Sequence, residues 1–328
     1  MDRDRFPGGL REVADVLHAQ DTRFVVWFEP ERCAAGSWLT ENHPEWVLGG
    51  KAGGLVNLGD PEAWQWVLER VDGLLLSEGI DVYRQDFSTD PLGYWRANDA
   101  PDRQGITEIR LVRGYVAFWD ELLRQHPDLY IDTCASGGRR NHLGTLRRSV
   151  PPLRSDFFGA VNSQQSQTMG LALWMPYFGS GMGMGDKYWF RSCIFPASRV
   201  GFDTREPGAD YAFLKRMIAE CREVQSYQMG DFQPLTPQSL ADDTWLACQW
   251  HRPDLDAGVV QAFRRASCQS GSLSLSLRGL EPEARYAVTD FHTGERRKLA
   301  GKRLLEGDLH PTAADRPQAM LLRYEGIR

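Results

Sequence analysis

Up to about residue 230 the chain alternates short apolar runs with amphipathic stretches long enough to be helices, and after Asp231 it stops doing so. Strand-like runs stand at 23–28, 80–86 and 129–133, with further candidates at 150–156, 170–177 and 190–195. Between the first two runs a helix is well signalled. Asp60 is its cap, Pro61 takes its first position, Ala63, Val67, Val71 and Leu75 share one face, and Gly79 stops it. Helices are also predicted over 107–125, ended by His126-Pro127, and over 209–227. Strand and helix in alternation require a parallel sheet with crossover helices. The strands are rich in Val, Ile, Leu and Phe, as strands covered on both faces are. Beyond Asp231, short strand candidates follow one another at 244–250, 258–264, 271–277, 284–289 and 319–324. Ser272–Leu277 alternates strictly, which predicts a half-exposed strand. The expectation is a parallel α/β domain over 1–230 and a small antiparallel β domain over 231–328.

Composition removes several functions. Lys and Arg number 38 against 44 Asp and Glu, a net charge of −6, which argues against a partner such as nucleic acid. No apolar run approaches the ~18 residues that span a bilayer, and Met1-Asp2-Arg3-Asp4-Arg5 opens no signal peptide. A cytoplasmic protein without membrane association is expected. The six cysteines are scattered, with no zinc-like spacing, and read as reduced packing residues. Eleven tryptophans are many. Most should lie in cores, but Trp also stacks on sugar rings at surfaces.

Several patterns fail on inspection. The glycine-rich run 179–187 has Tyr188 where a phosphate-binding loop needs Ser or Thr. Cys134-Ala135-Ser136-Gly137-Gly138 lacks the leading glycine of a nucleophile elbow, and the histidines form no HExxH pair. Arg139, Arg140, Arg147, Arg148 and Arg154 are expected on a solvated barrel exterior. What remains is a pair of carboxylates. Asp86 closes the run from Ile80, and Asp156 closes the run from Val150. In a parallel barrel the C-terminal strand ends face the active site. Two carboxylates there suit a nucleophile and an acid/base flanking a glycosidic bond. The competing role for a strand-end Asp is to cap the next turn, as Asp60 and Asp90 are expected to do.

The residue strings carry a resemblance. Trp27-Phe28-Glu29-Pro30-Glu31 with Ser37-Trp38-Leu39 and His43-Pro44-Glu45-Trp46 resembles the WFEPE…S…HPDW segment of family 36 glycoside hydrolases, the bacterial α-galactosidase family. Arg84-Gln85-Asp86-Phe87-Ser88 stands in place of that family's Lys-Trp-Asp-x-Asn motif, and 134–140 resembles its CxSGGxR loop. Arg154-Ser155-Asp156 resembles W-x-S-D, and Asp231–Thr236 resembles the segment entering the C-terminal β domain. The resemblance implies a (β/α)8 TIM-type barrel followed by a small β domain, and retaining hydrolysis of terminal α-D-galactosides. It implies Asp86 as nucleophile, Asp156 as acid/base, and Arg84, Ser88, Cys134, Gly137, Trp27 and Glu29 as substrate-binding residues. The implied partner is an α-galactoside oligosaccharide or glycoconjugate. No cofactor or metal is needed, and homo-oligomers are expected.

Departures from the pattern are at Arg84, Gln85, Ser88, His142 and Lys51. They bear on sugar identity, with α-N-acetylgalactosaminide as the alternative because Ser88, Cys134 and Gly137 correspond to positions lining the 2-substituent. Eight strands make a complete barrel, and the six candidates above fall short of that. Phe6-Pro7-Gly8-Gly9-Leu10 resembles the helix after the family's second strand, so the barrel is expected to be incomplete at its N-terminus. A truncated, non-catalytic sugar-binding or assembly protein is the alternative from another class. Alone, such a chain is expected to associate and to show little activity.

Overall fold

The structure, a computed structural model, describes residues 2–182, 186–201, 203 and 205–327. Gly183, Met184 and Gly185 of the glycine-rich run thus lie outside the described residues. Contacts divide the chain into two compact units, Met1–Asp156 and Phe157–Arg328.

The first unit opens with α1 (Arg11–His18) and β1 (Val25–Phe28). An excursion follows, made of β2 (Arg32–Ala34), α2 (Trp38–Asn42), β3 (Val47–Leu48) and β4 (Gly53–Val56). These strands form a small antiparallel sheet in the order β2-β4-β3. The chain then runs through α3 (Pro61–Glu78), β5 (Val82–Gln85), α4 (Leu92–Ala97), α5 (Ile106–Gln125), β6 (Tyr130–Thr133) and α6 (Leu143–Leu146). β1, β5 and β6 pair in that order, all parallel. α3 starts and stops where its sequence signals stand. The Asp60 carboxylate accepts from the N–H groups of Glu62 and Ala63, and Gly79 takes the left-handed conformation that ends it. Val67, Val71 and Leu75 of α3 and Tyr115, Phe118 and Leu122 of α5 bury against Tyr83 and Ile131 of the sheet.

Three strand expectations are corrected here. Over 150–156 only Val150 bridges to Asp132 in parallel, because Pro151 and Pro152 have no N–H to continue the ladder. Within 170–177, Gly170 and Leu171 finish α7 (Val161–Leu171). Within 190–195, Phe190–Ser192 belong to α8 (Lys187–Ser192), whose cap is the Asp186 carboxylate accepting from Trp189. A short apolar run does not by itself separate a strand from a buried helical turn. The second unit also pairs β7 (Gly181–Met182) with β8 (Arg199–Val200) in parallel and carries α9 (Tyr211–Gln225).

From Asp231 the chain forms one antiparallel sheet. Its members are β9 (Asp231–Pro234), β10 (Trp245–Arg252), β11 (Ala257–Arg264), β12 (Arg285–Asp290), β13 (Arg296–Ala300) and, after α10 (Gly301–Leu305), β14 (Gln318–Ile327). They lie in the order β13-β12-β14-β11-β10-β9. The expected strand at 271–277 makes only isolated bridges, Ser272 to Thr312 and Leu275 to Leu309. Its alternation still buries Leu275 and Leu277. The texture of the sequence changes at Asp231, whereas the contacts change at Asp156. The reason is local: the buried Arg191 of α8 pairs with Glu220 of α9 and donates to the carbonyls of Phe291 and Ala319, tying the helices to the sheet.

Candidate active site

Trp27, Arg84 and Asp132 are register partners across β1, β5 and β6, so their side chains share one face of the sheet. Asp86 lies two residues past Arg84 and continues that face beyond the strand end. Its Oδ1 accepts from the Phe87 N–H at 2.7 Å and the Ser136 N–H at 3.2 Å, and its Oδ2 accepts from Trp27 Nε1 at 3.2 Å. Burial pushes the Asp86 carboxyl up. The Phe87 N–H, the Trp27 indole, the Ser136 N–H and the Cys134 thiol together outweigh that and leave it below its ordinary value. The Cys134 thiol is raised by burial to about 11 and stays protonated.

The turn after β6 gathers the rest. Ser136 takes φ +44°, an unusual conformation for a residue with a side chain, and thereby aims its N–H at Asp86. Gly137 has φ +82°, and a Cβ there would lie 2.7 Å from the Asp156 backbone nitrogen. One turn therefore touches both carboxylate residues. Asp156 itself is exposed, on an irregular segment and not on a strand.

Arg84 is half-buried, and its Nη1 lies 2.6 Å from both carboxylate oxygens of Asp132. The Glu29 carboxylate accepts from the Ser88 N–H at 2.7 Å and pairs with Arg32 at 2.5 Å, which pins the loop after Asp86 to the end of β1. Ser88 is exposed beside it. A cleft of about 550 Å³ opens here, lined by Trp27, Glu29, Arg32, Thr89 and Tyr94 among others.

The other face of the sheet carries a buried polar network. Glu31, with no exposed surface, accepts both Arg140 nitrogens at 2.6 and 2.9 Å and the Gln85 amide at 2.7 Å. Gln85 in turn accepts from Tyr83 and Trp119. The Arg140 guanidinium lies 4.0 Å from the Phe87 ring centre and 4.2 Å from that of Tyr115. Arg139 donates to the carbonyls of Phe87 and Thr89, joining the two loops of the site. The solvated exterior expected for the arginine cluster is thus wrong for Arg140, and also for Arg154, which is 2% exposed. Arg148 pairs with Asp120, and Arg147 is exposed. Arg140→Ala would leave Glu31 buried without its cation. A loss of about 3–5 kcal/mol in urea unfolding is expected, and a change under 1 kcal/mol would sink this account.

Asp132, the Ser136 N–H and the Glu31–Arg140 pair did not stand out in the sequence. Only the parallel register of β5 with β6 brings Asp132 opposite Arg84, and no local motif encodes that register. Among the described residues, no cluster of His, Cys, Asp and Glu could hold a metal ion, no helix is long and apolar enough to cross a membrane, and all six cysteines are buried and unbridged.

The family model described as Melibiase matches residues 1–183, more than half of the chain. The chain belongs to the melibiase family. It is 24% identical over 310 residues to α-galactosidase 1 of Pediococcus pentosaceus, covering 87% of this chain and 42% of that protein. It is 28% identical over 306 residues to α-galactosidase Mel36A of Lactobacillus acidophilus, covering 87% and 41%. The chain thus spans about two fifths of the length of these relatives. A family 36 α-galactosidase AgaA variant from Geobacillus stearothermophilus, solved with raffinose, superimposes over 100% of this chain and 48% of its own, at a TM-score of 0.86 and 19% identity. The α-galactosidase of Lactobacillus brevis gives 0.86 at 18% identity, again over 100% of this chain and 48% of its own. The fold of this melibiase-family chain is therefore a TIM-type barrel catalytic domain followed by a small antiparallel β domain.

Proposed function

We propose that this chain carries the reacting carboxylates of a retaining glycoside hydrolase that cleaves terminal α-D-galactosides. The observation that carries the reading is Asp86 held ionised at a strand end by Trp27, Phe87 and Ser136, on a turn that also lies against Asp156. Asp86 attacks the anomeric carbon as the glycosidic C–O bond breaks, and Asp156 gives its proton to the departing oxygen. Asp156 then takes a proton from water, whose oxygen displaces Asp86 from the sugar. Trp27 orients the nucleophile and presents an exposed ring at the cleft. Arg84, held by Asp132, sets a positive charge beside Asp86. Ser88, Cys134 and Gly137 are proposed to line the sugar's 2-position, and Glu29 to hold the loop that bears Ser88. The substrate class is drawn from relatives named α-galactosidases and from AgaA solved with raffinose and with stachyose.

The full-length protein should hydrolyse p-nitrophenyl α-D-galactoside and release α-galactose as first product by NMR. Hydrolysis of the N-acetylgalactosaminide alone would reassign the sugar. Hydrolysis of neither would favour a non-catalytic sugar-binding role.

The depressed Asp86 carboxyl has a pH consequence. Its charged form is lost only as pH falls through the lowered value, so the acid limb of kcat/KM should lie below the ordinary carboxylate pKa of about 3.9. Trp27→Phe removes one donor and should move that limb to higher pH. An unmoved limb would mean that the indole does not stabilise the charge.

A further inference from the structure

A second cleft, of about 520 Å³, lies on the excursion between β1 and α3, lined by Arg32, Ser37, Trp38, Trp66 and Arg70 among others. Trp38 is 55% exposed, far more than a residue of its size usually is. Its ring is nonetheless fixed. It stacks on Trp66 of α3 with centres 5.5 Å apart and planes 8° from parallel, and Trp66 lies against Trp46, itself stacked on His43 at 3.8 Å. Ser37 caps α2 by accepting from the Thr40 N–H, which sets the position of Trp38 on the first turn. One face of the indole is thus backed by aromatic rings, while the side chain keeps more than half its surface in water. Arg70 is exposed at the margin and has no ion-pair partner among the described residues.

A rigid aromatic plate edged by hydrogen-bond donors matches one class of small ligand. A pyranose ring offers an apolar face of C–H groups to the plate and a rim of hydroxyl oxygens to the donors. The cations disfavour a basic ligand. The cleft also adjoins the site: Arg32, Cys33 and Ala34 line both this cleft and the one that holds Trp27 and Glu29, so β2 is their common wall. We propose that the Trp38–Trp66 cleft is an accessory saccharide site that holds the end of a long α-galactoside remote from Asp86. The proposal rests on the α-galactoside reading given above.

Its test compares stachyose with p-nitrophenyl α-galactoside in the full-length protein carrying Trp38→Ala, Trp38→Phe or Arg70→Ala. A contact made equally in ground and transition states changes KM and leaves kcat. Trp38→Ala should raise KM for stachyose about five- to tenfold at constant kcat, and Trp38→Phe should restore much of it. Arg70→Ala should raise it less, and the aryl galactoside, too short to pass β2 to Trp38, should be unaffected by all three. Equal changes on both substrates, or none, would overturn the proposal; the latter is also the result if another part of the protein or a second copy covers Trp38. Calorimetric titration of stachyose into Asp86→Asn protein with and without Trp38→Ala reads the same contact without turnover. If the wild type hydrolyses no galactoside but Trp38→Ala still weakens stachyose binding, only the catalytic reading falls. Equal affinity overturns the accessory site.

Discussion

Asp86→Ala is expected to lower kcat on p-nitrophenyl α-galactoside by about 10⁵-fold or more, with the protein still folded. The carboxylate is the only group proposed to form a bond to the anomeric carbon, and its removal leaves the Trp27, Phe87 and Ser136 donors around a void. That void is open to a small anion. Azide should therefore restore part of the rate and give a β-galactosyl azide, since it enters from the face Asp86 used. The donors that lower the carboxyl pKa also favour an anion in its place. A folded variant that azide does not rescue would mean that Asp86 serves the site in some other way.

Asp156→Ala should split substrates by leaving group. Proton donation is worth about 10²–10⁴-fold where the departing oxygen is basic. Raffinose, which releases an alcohol, should lose activity in that range, whereas p-nitrophenol leaves as a stable anion and should lose far less in the first step. Equal losses would make Asp156 a structural residue. Its exposure makes this outcome easy to read, because its replacement removes no buried contact.

Much of the fold is legible where local chemistry is self-sufficient. Asp60, Pro61 and Gly79 bound α3 without help from the rest of the chain, and β1, β5 and β6 fall within the apolar runs that mark them. Legibility fails where an apolar run is short. Phe190–Ser192 is helical because Asp186 caps it, a signal weaker than the run itself. Val150 alone reaches the sheet because two prolines follow. In the site, Asp86 and the 134–138 turn stand out as strings. The Glu31–Arg140 pair joins residues 109 positions apart, and only the packed sheet brings them together. Arg140 reads as a surface cation in sequence because its aromatic neighbours Phe87 and Tyr115 come from β5's loop and α5.

The turn from Cys134 to Gly138 works as a ruler. It donates to Asp86 at one point and lies against the backbone of Asp156 at the next, so a change in its length is expected to be felt at both acids. Pairs about 5 Å apart displace through a glycosyl-enzyme, and pairs about 6.5–9.5 Å apart admit a water and invert the sugar. A residue inserted between Ser136 and Gly138 is therefore expected to show itself in the anomer released first, which NMR reads.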